Sequence, residues 1–193
     1  MEDGRSTATP GASRAGFILT GGRSSRMGRD KAALPLGGGT LVEHVAACVG
    51  VAAGRVTLVG APERYVALGL RAVADRYENC GPLGGVCTAL AITQADWNLI
   101  VACDMPAVTA GFLGEMLATA ETSGADCLVP ESAYGLHPLC AVYHRRTLAV
   151  ARRQILNKCL KMHDFLASLR IRKFPTAEVL VENVNTPQDW ASR

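Results

Sequence analysis

Short hydrophobic runs alternate along the chain with longer segments in which apolar residues recur at helical spacing. Near-continuous hydrophobicity over about four to eight residues is typical of strands covered on both faces, as in a parallel sheet. The runs that predict strands are residues 16–20, 55–60, 70–74, 97–103, 126–129 and 139–143. The segments that predict helices are residues 40–53, which open with the capping box Thr40-x-x-Glu43, and residues 83–95, 109–123 and 187–193.

This alternation predicts an α/β fold. We expect a single three-layer domain with a mainly parallel twisted sheet, helices on both faces and right-handed crossovers. Residues 1–14 mix Gly, Ser, Thr, Pro and charged residues without periodicity, so they predict a disordered leader, and residues 15–193 form the domain. Ligands of such sheets bind outside the carboxyl ends of the strands, which is where the candidate motifs fall.

Composition excludes several classes of protein. The chain has 193 residues, of which 49% are hydrophobic and 19% charged, so it can bury a core without disulfides or metals. No apolar run approaches the roughly 18 residues of a membrane span, and the N-terminus has no apolar signal region. The seven cysteines include no C-x-x-C pair, which favours reduced thiols over disulfides or zinc. We therefore expect a cytoplasmic protein that has no membrane partner.

The net charge of +3 is unevenly distributed. Residues 144–174 contain nine Lys and Arg residues and one acid, which leaves 11 cations and 16 acids for the rest of the chain. A basic block on an otherwise acidic protein indicates an anionic ligand or partner, although a solvated helix face is an equally good explanation. No aromatic platform accompanies the block, so nucleic acid is not an expected partner.

The densest chemical signal is the segment Leu19-Thr-Gly-Gly-Arg-Ser-Ser-Arg-Met-Gly-Arg-Asp-Lys31. Glycines let main-chain N–H groups approach a ligand, and crowded cations are favourable when an anion lies among them, so the loop predicts a phosphate cradle. Five residues separate Gly22 from Gly28 where Walker A has four, and the G-x-G-x-x-G fingerprint is absent. The plain alternative is a flexible surface loop.

Asp104 follows the hydrophobic run at 97–103 and is a candidate Mg²⁺ ligand, because a hard cation binds carboxylate oxygen together with substrate phosphates. An ordinary turn aspartate is the alternative. The string Asn183-Val-Asn-Thr-Pro187 predicts two amides on one face of a strand, suited to holding metal-bound water or phosphate.

The glycine-rich segment, continued through Leu34 and Pro35, resembles the signature L-x-G-G-x-S-x-R-M-G-x-D-K-x-x-L-P of the molybdenum cofactor guanylyltransferases, the MobA-like nucleotidyltransferase family. The resemblance implies a Rossmann-like nucleotidyltransferase fold. It also implies transfer of GMP from GTP to the terminal phosphate of molybdopterin, with Mg²⁺ as cofactor and pyrophosphate as product. Relatives that use CTP typically have alanine at the position of Gly21, so its glycine favours guanine, and we hypothesise that the missing Cβ makes room for the base.

Matching positions carry the roles that the resemblance implies. Arg26, Lys31 and Asp104 would be catalytic, and Asp104 would bind the metal. The expected nucleotide-binding residues are Leu19, Thr20, Gly21, Gly22, Lys31, Gly60 through its backbone, Asp75 and Asp104. The expected pterin-binding residues are Gly81, Pro82, Leu83, Gly85, His137, Asn183 and Asn185. Residues 160–165 of the basic block could also receive the acidic pterin.

Several alternatives remain open at this level. The protein could use CTP or another phosphorylated acceptor, or it could be a non-catalytic nucleotide-binding module. A lone histidine such as His137 is more often structural than functional. Cofactor-insertion proteins and target molybdoenzymes are candidate transient partners.

Overall fold

The strands and helices follow the alternation that the sequence predicts. A computed structural model describes residues 13–21 and 31–184. In these ranges the strands are β1 (Arg14–Leu19), β2 (Pro35–Leu36), β3 (Gly39–Thr40), β4 (Val56–Gly60), β5 (Ala72–Ala74), β6 (Trp97–Ala102), β7 (Cys127–Ser132), β8 (Gly135–Leu136), β9 (Cys140–His144) and β10 (Ile171–Pro175). The helices are α1 (Leu41–Ala53), α2 (Gly81–Ile92), α3 (Ala110–Thr122), α4 (Leu148–Leu156) and α5 (Met162–Ala167).

One mixed sheet has the strand order β10-β7-β9-β6-β1-β4-β5, with β8 paired to β7, while β2 and β3 form a separate small hairpin. β1 is parallel to both β4 and β6, β4 is parallel to β5, and β10 is parallel to β7. β9 runs antiparallel to β6 and β7. The predicted α/β class with a mainly parallel sheet is therefore confirmed. Strand direction is a property of pairing that the hydrophobic run at 139–143 does not show.

Two hydrophobic clusters cover the faces of the sheet and give the predicted three layers. α1 and α3 pack on one face, where Leu41 and Leu113 are fully buried. α2, α4 and α5 pack on the other, where Leu83, Tyr143 and Phe165 are fully buried. Alternate side chains of the central strand β1 point to opposite clusters, which is why its sequence is continuously apolar.

The two outermost strands of the sheet, β10 and β5, differ from the sequence prediction. β10 was not predicted, because only Ile171 and Phe174 of its sequence IRKFP are apolar and both are half-buried. Charged residues and proline are typical of edge strands, where they discourage pairing with other chains. The run predicted at 70–74 pairs only over Ala72–Ala74, at the opposite edge. The helix predicted at 187–193 lies outside the described residues.

Ser13 and Arg14, which the sequence assigns to the leader, contact the rest of the fold. β1 begins at Arg14, whose guanidinium makes a two-bond ion pair with Glu121 of α3 at 2.6 Å. The backbone carbonyl of Ser13 accepts a hydrogen bond from the N–H of Trp97 at 3.1 Å. These two residues therefore belong to the folded domain, and residues 1–12 lie outside the described part of the chain.

All seven cysteines are free thiols, three of them buried: Cys87, Cys127 and Cys140. Across residues 13–21 and 31–184, no helix has the length and apolar character needed to span a membrane.

Candidate active site

The candidate site lies at one edge of the sheet, where parallel strands end. Thr20 and Gly21 follow β1, and Gly60 is the last residue of β4. Asp75 follows β5, and Asp104 comes two residues after β6. Because these strands run in the same direction, their carboxyl ends meet at the same edge, as the sequence predicts.

The ends of β1 and β4 are pressed together at Thr20 and Gly60. The N–H and the hydroxyl of Thr20 both donate to the carbonyl of Val59, at 2.9 and 3.2 Å. A Cβ added to Gly60 would lie 2.5 Å from Thr20 Oγ1 and 2.9 Å from the backbone nitrogen of Gly21. The fold therefore requires glycine at position 60. Among the described residues, a Cβ added to Gly21 would meet only the Cα of Gly60, at 3.8 Å, so nothing in the described part of the fold requires glycine at position 21.

A cavity of about 460 Å³ opens between the ends of β1, β4 and β5 and the beginning of α2. Its lining residues are Leu19, Gly21, Val59, Asp75, Tyr77, Asn79, Gly81, Pro82 and Gly85. A helix N-terminus presents free N–H groups and the positive end of the helix dipole, both of which favour an anionic ligand. The cavity thus combines an apolar floor, a carboxylate and an anion-attracting helix end.

The segment Gly81–Gly85 forms the first turn of α2, which begins two residues before the predicted start of this helix at Leu83. Gly81, Pro82 and Gly85 share the cavity with Leu19, Gly21 and Asp75, which the resemblance assigns to the nucleotide. Their role towards the pterin stays a prediction. The side chain of Leu83 is wholly buried in the core beneath α2 and does not line the cavity, because it points into the sheet.

Hydrogen bonds hold the Asp75 carboxylate in place. Its Oδ1 atom accepts from the Thr88 hydroxyl at 2.7 Å and from the N–H of Tyr77 at 3.0 Å. The Thr88 oxygen in turn accepts from the N–H of Arg76 at 3.0 Å. The loop that follows β5 is therefore fastened to the second turn of α2 through a buried threonine.

Asp104 and Asn183 are neighbours at the other end of the site. The N–H of Val184 donates to the Asp104 carbonyl at 2.9 Å, which brings the C-terminal segment against the end of β6. Asp104 Oδ1 and Asn183 Oδ1 are both buried, and Asn183 Oδ1 has no hydrogen-bond partner among the described residues. Asn183 lies in irregular structure rather than in the predicted strand.

This pair of oxygen donors suits a divalent cation such as Mg²⁺. Carboxylate and amide oxygens are the ligands that hard cations prefer, and a buried amide oxygen without a donor is costly unless something binds it. Among the described residues, no three His, Cys, Asp or Glu side chains converge on a metal site. Such an ion would therefore need further ligands, and substrate phosphates are the usual ones.

His137 lies at the same edge, before β9. The carbonyl of Leu139 accepts from the N–H of Ala102 at 2.7 Å, which places this turn beside the end of β6. The His137 Nε2 atom lies 2.8 Å from Ser132 Oγ, within the hairpin of β7 and β8. Partial burial lowers the pKa of His137, against a smaller raising effect of Glu178, so burial favours the neutral ring. The contact with Ser132 supports the structural alternative, and a role towards the pterin stays a prediction.

Much of the basic block lies away from this edge. Asp126, at the start of β7, binds Arg146 at 2.6 Å and Arg170 at 3.2 Å, on the side of the sheet where the parallel strands begin. Arg145 and Arg146 precede α4 in a short 3₁₀ turn, whereas Arg152 and Arg153 lie within α4, so the basic block does not form one continuous helix face.

Four predicted site residues have no described side chain. Gly22, Arg26 and Asn185 lie outside the described residues, and only the backbone of Lys31 is described, at the start of a 3₁₀ turn. Their roles stay predictions. Four residues at the site were not predicted, namely Val59, Tyr77 and Asn79 in the cavity wall and Thr88 behind Asp75. Tyr77 and Asn79 follow β5 at the carboxyl edge, and that position is the signal that could have identified them.

Comparison with known proteins decides the family. Residues 16–172, most of the chain, match the family described as the MobA-like NTP transferase domain. The chain belongs to this family. A protein of Carboxydothermus hydrogenoformans, named "Probable molybdenum cofactor guanylyltransferase", is 32% identical over 184 residues, covering 90% of this chain and 91% of that protein.

Solved structures share the fold of this MobA-like transferase. Molybdopterin-guanine dinucleotide biosynthesis protein A from Archaeoglobus fulgidus superposes with a TM-score of 0.79 at 24% identity, over 92% of this chain and 95% of that one. A Mycobacterium tuberculosis protein solved in complex with manganese superposes with a TM-score of 0.72 at 19% identity, over 94% and 97%. The predicted family and its nucleotidyltransferase fold are therefore confirmed.

Proposed function

We propose that this MobA-like transferase moves GMP from GTP to the terminal phosphate of molybdopterin or the molybdenum cofactor and releases pyrophosphate. The names of its relatives support guanylyl transfer. The observation that carries the proposal is the cavity that joins Gly21, Asp75 and the N-terminus of α2 at the edge where Asp104 and Asn183 lie together. Nucleoside, phosphates and a cation can thus be held along one side of the sheet.

The reaction requires orientation and charge neutralisation more than proton transfer. A phosphate oxygen of the acceptor forms a bond to the α-phosphorus of GTP, and the bond from that phosphorus to the bridging oxygen of pyrophosphate breaks. The nucleophile is already an anion, so no general base is needed and His137 is not assigned that role. The N-terminus of α2 favours negative charge in the cavity, and positioning alone can remove several kcal/mol from the barrier.

Asp104 and Asn183 are the described residues that would hold Mg²⁺, which when bound supplies positive charge to the phosphates. Asn185 is proposed to lie in or near this site, and Arg26 and Lys31 are proposed to stabilise the leaving pyrophosphate. Gly21, in the cavity wall, and Gly22 are both proposed to bind the nucleotide through their backbone.

Pyrophosphate release with molybdopterin as acceptor tests the activity. We expect GTP with Mg²⁺ to support turnover and CTP to support far less. Asp104→Asn should reduce kcat at least about 100-fold, the scale seen when a charge-stabilising group is lost. Asp96→Asn is the matched control, since this exposed carboxylate precedes β6, at the end of the strand opposite to Asp104, and its substitution should leave turnover unchanged.

Three outcomes would contradict the proposal. A preference for CTP would assign the chain to another nucleotide, and turnover only with a different phosphorylated acceptor would replace molybdopterin. GTP binding without pyrophosphate release would indicate a non-catalytic nucleotide-binding module. Full activity in Asp104→Asn would overturn the metal assignment alone.

Contacts with cofactor-insertion proteins or target molybdoenzymes are also proposed. Among the described residues, Arg153 and Lys158 have no ion-pair partner, and both are exposed around the end of α4. Their replacement by glutamate should slow delivery of the product to an acceptor enzyme without changing pyrophosphate release.

A further inference from the structure

A buried threonine behind the cavity is not part of the catalytic chemistry yet binds a cavity residue. Thr88 lies in the second turn of α2, and none of its surface is accessible to solvent. Its hydroxyl donates to Asp75 Oδ1 at 2.7 Å and accepts from the N–H of Arg76 at 3.0 Å. A hydroxyl has one proton, so this pattern assigns the direction of both bonds.

The second oxygen of Asp75 accepts no hydrogen bond from a described residue, since Thr88 and the N–H of Tyr77 both donate to Oδ1. Oδ2 lies beside the first turn of α2, because a Cβ added to Gly84 would be 3.2 Å from Oδ2 and 2.6 Å from the Tyr77 carbonyl. Asp75 lines the cavity, and the two bonds to Oδ1 hold its carboxylate there.

We infer that Thr88 is a positioning residue that determines nucleoside selectivity by holding the Asp75 carboxylate with Oδ2 directed to hydrogen-bond donors of the nucleotide. This inference rests on the proposed function for the identity of the nucleotide. An ionised carboxylate only accepts hydrogen bonds, so it selects for donors. In GTP the donors are N1–H and the N2 amino group of guanine, or the ribose hydroxyls. Loss of the donor that binds Oδ2, whether on the base or on the ribose, should weaken binding where the carboxylate is held in place.

Thr88→Val tests this inference because it removes the hydroxyl at nearly constant volume. The Asp75 carboxylate then keeps a single donor and can rotate. Calorimetric titration with Mg²⁺ present should give about 10-fold to 100-fold weaker GTP binding, the range for a lost hydrogen bond to a charged group. Thr88→Ser restores the hydroxyl and should restore most of the affinity.

Selectivity is the measurement that a merely structural role would not change. For wild type we expect either ITP, which lacks the N2 amino group, or 3′-deoxy-GTP to bind at least about fivefold more weakly than GTP. The analogue that loses affinity identifies the donor as base or ribose. In Thr88→Val the ratio of GTP affinity to the affinity for that analogue should fall towards one. In Asp75→Asn the same ratio should also fall towards one.

Thr147→Val is the matched control. Thr147 is equally buried and donates to the His144 carbonyl at 2.9 Å, at the end of β9 on the opposite edge of the sheet. In urea unfolding, Thr147→Val should lose about as much stability as Thr88→Val does. It should retain the GTP affinity and selectivity of the wild type.

An unchanged GTP-to-analogue ratio in a folded Thr88→Val variant would overturn the inference, as would an Asp75→Asn variant that keeps that ratio. These results concern nucleotide binding alone. A wild-type protein that binds GTP selectively but forms no product with molybdopterin would instead count against the proposed function and leave the role of Thr88 supported.

Discussion

Gly21→Ala tests how the cavity selects its nucleotide, because the described part of the fold has room for the added methyl group. The nearest described atom to the new Cβ would be the Cα of Gly60 at 3.8 Å, an ordinary van der Waals contact. The φ angle of Gly21 also lies outside the left-handed region that strains alanine. We therefore expect the free energy of unfolding to stay unchanged or to rise by about 0.4–1 kcal/mol, since alanine restricts the unfolded chain.

The same methyl group would take up space in the wall of the cavity, which Gly21 lines. Crowding of a packed contact costs about 1–3 kcal/mol, which corresponds to about 5–150-fold weaker binding of GTP. CTP should lose less affinity, because its single-ring base leaves more space than guanine does. The ratio of GTP to CTP affinity should therefore fall while the fold remains intact.

Urea unfolding and calorimetric titration with each nucleotide in the presence of Mg²⁺ measure the two effects separately. Gly114→Ala in α3 is the control, since no described atom lies within 4 Å of its added Cβ, and it should leave nucleotide binding unchanged. Unchanged GTP affinity in Gly21→Ala, or an equal loss of GTP and CTP affinity, would refute the idea that the missing side chain makes room for guanine.

Three further predictions follow from packing and charge. Gly60→Ala should lower the free energy of unfolding by about 1–3 kcal/mol in urea, because its Cβ would overlap Thr20 and Gly21, and a fully stable variant would contradict the close packing. Asp126→Asn should cost about 1–2 kcal/mol at pH 7, a modest value because both arginine partners are largely exposed. Hydrogen bonds from Arg170, and then those from Arg146, hold the pKa of Asp126 well below its ordinary range. This stabilisation is complete above about pH 4 and declines as the pH falls towards the folded-state pKa, so a wild-type-to-variant difference that is constant down to pH 2 would contradict it. Burial raises the pKa of Cys140 to about 12 and also raises that of Cys127, so iodoacetamide at pH 8 should modify exposed Cys159 first. Mass spectrometry that finds Cys140 labelled in the folded protein would contradict this prediction.

Patterns along the chain were sufficient for the elements that the core covers on both faces. β1, β4 and β6 are continuously apolar because helices pack on each side, and that signal is local. β10 lies at the edge of the sheet, where polar residues are favourable, so its sequence has no such signal. Prediction therefore succeeded for the strands in the middle of the sheet, was too long for the outermost strand β5 and missed the outermost strand β10.

The location of the site followed from the sequence as well. Gly21, Gly60, Asp75 and Asp104 each follow or end a predicted strand, and parallel strands bring such residues to one edge. The resemblance of the glycine-rich segment then named the chemistry, which the family comparison supports. The shared cavity was not predictable, since Gly81 and Pro82 line it together with Gly21 only because α2 begins beside β1 and β4.

The sequence by itself thus determined the α/β fold, the family and the edge at which ligands bind, because these depend on periodicity and on motifs within short segments. The tertiary structure decided which neighbours each site residue has. Thr88 reaches Asp75 through the packing of α2, and Asn183 lies beside Asp104 through a backbone hydrogen bond from the far end of the chain. Contacts between distant segments arise from the packing of whole elements, and no local pattern encodes them.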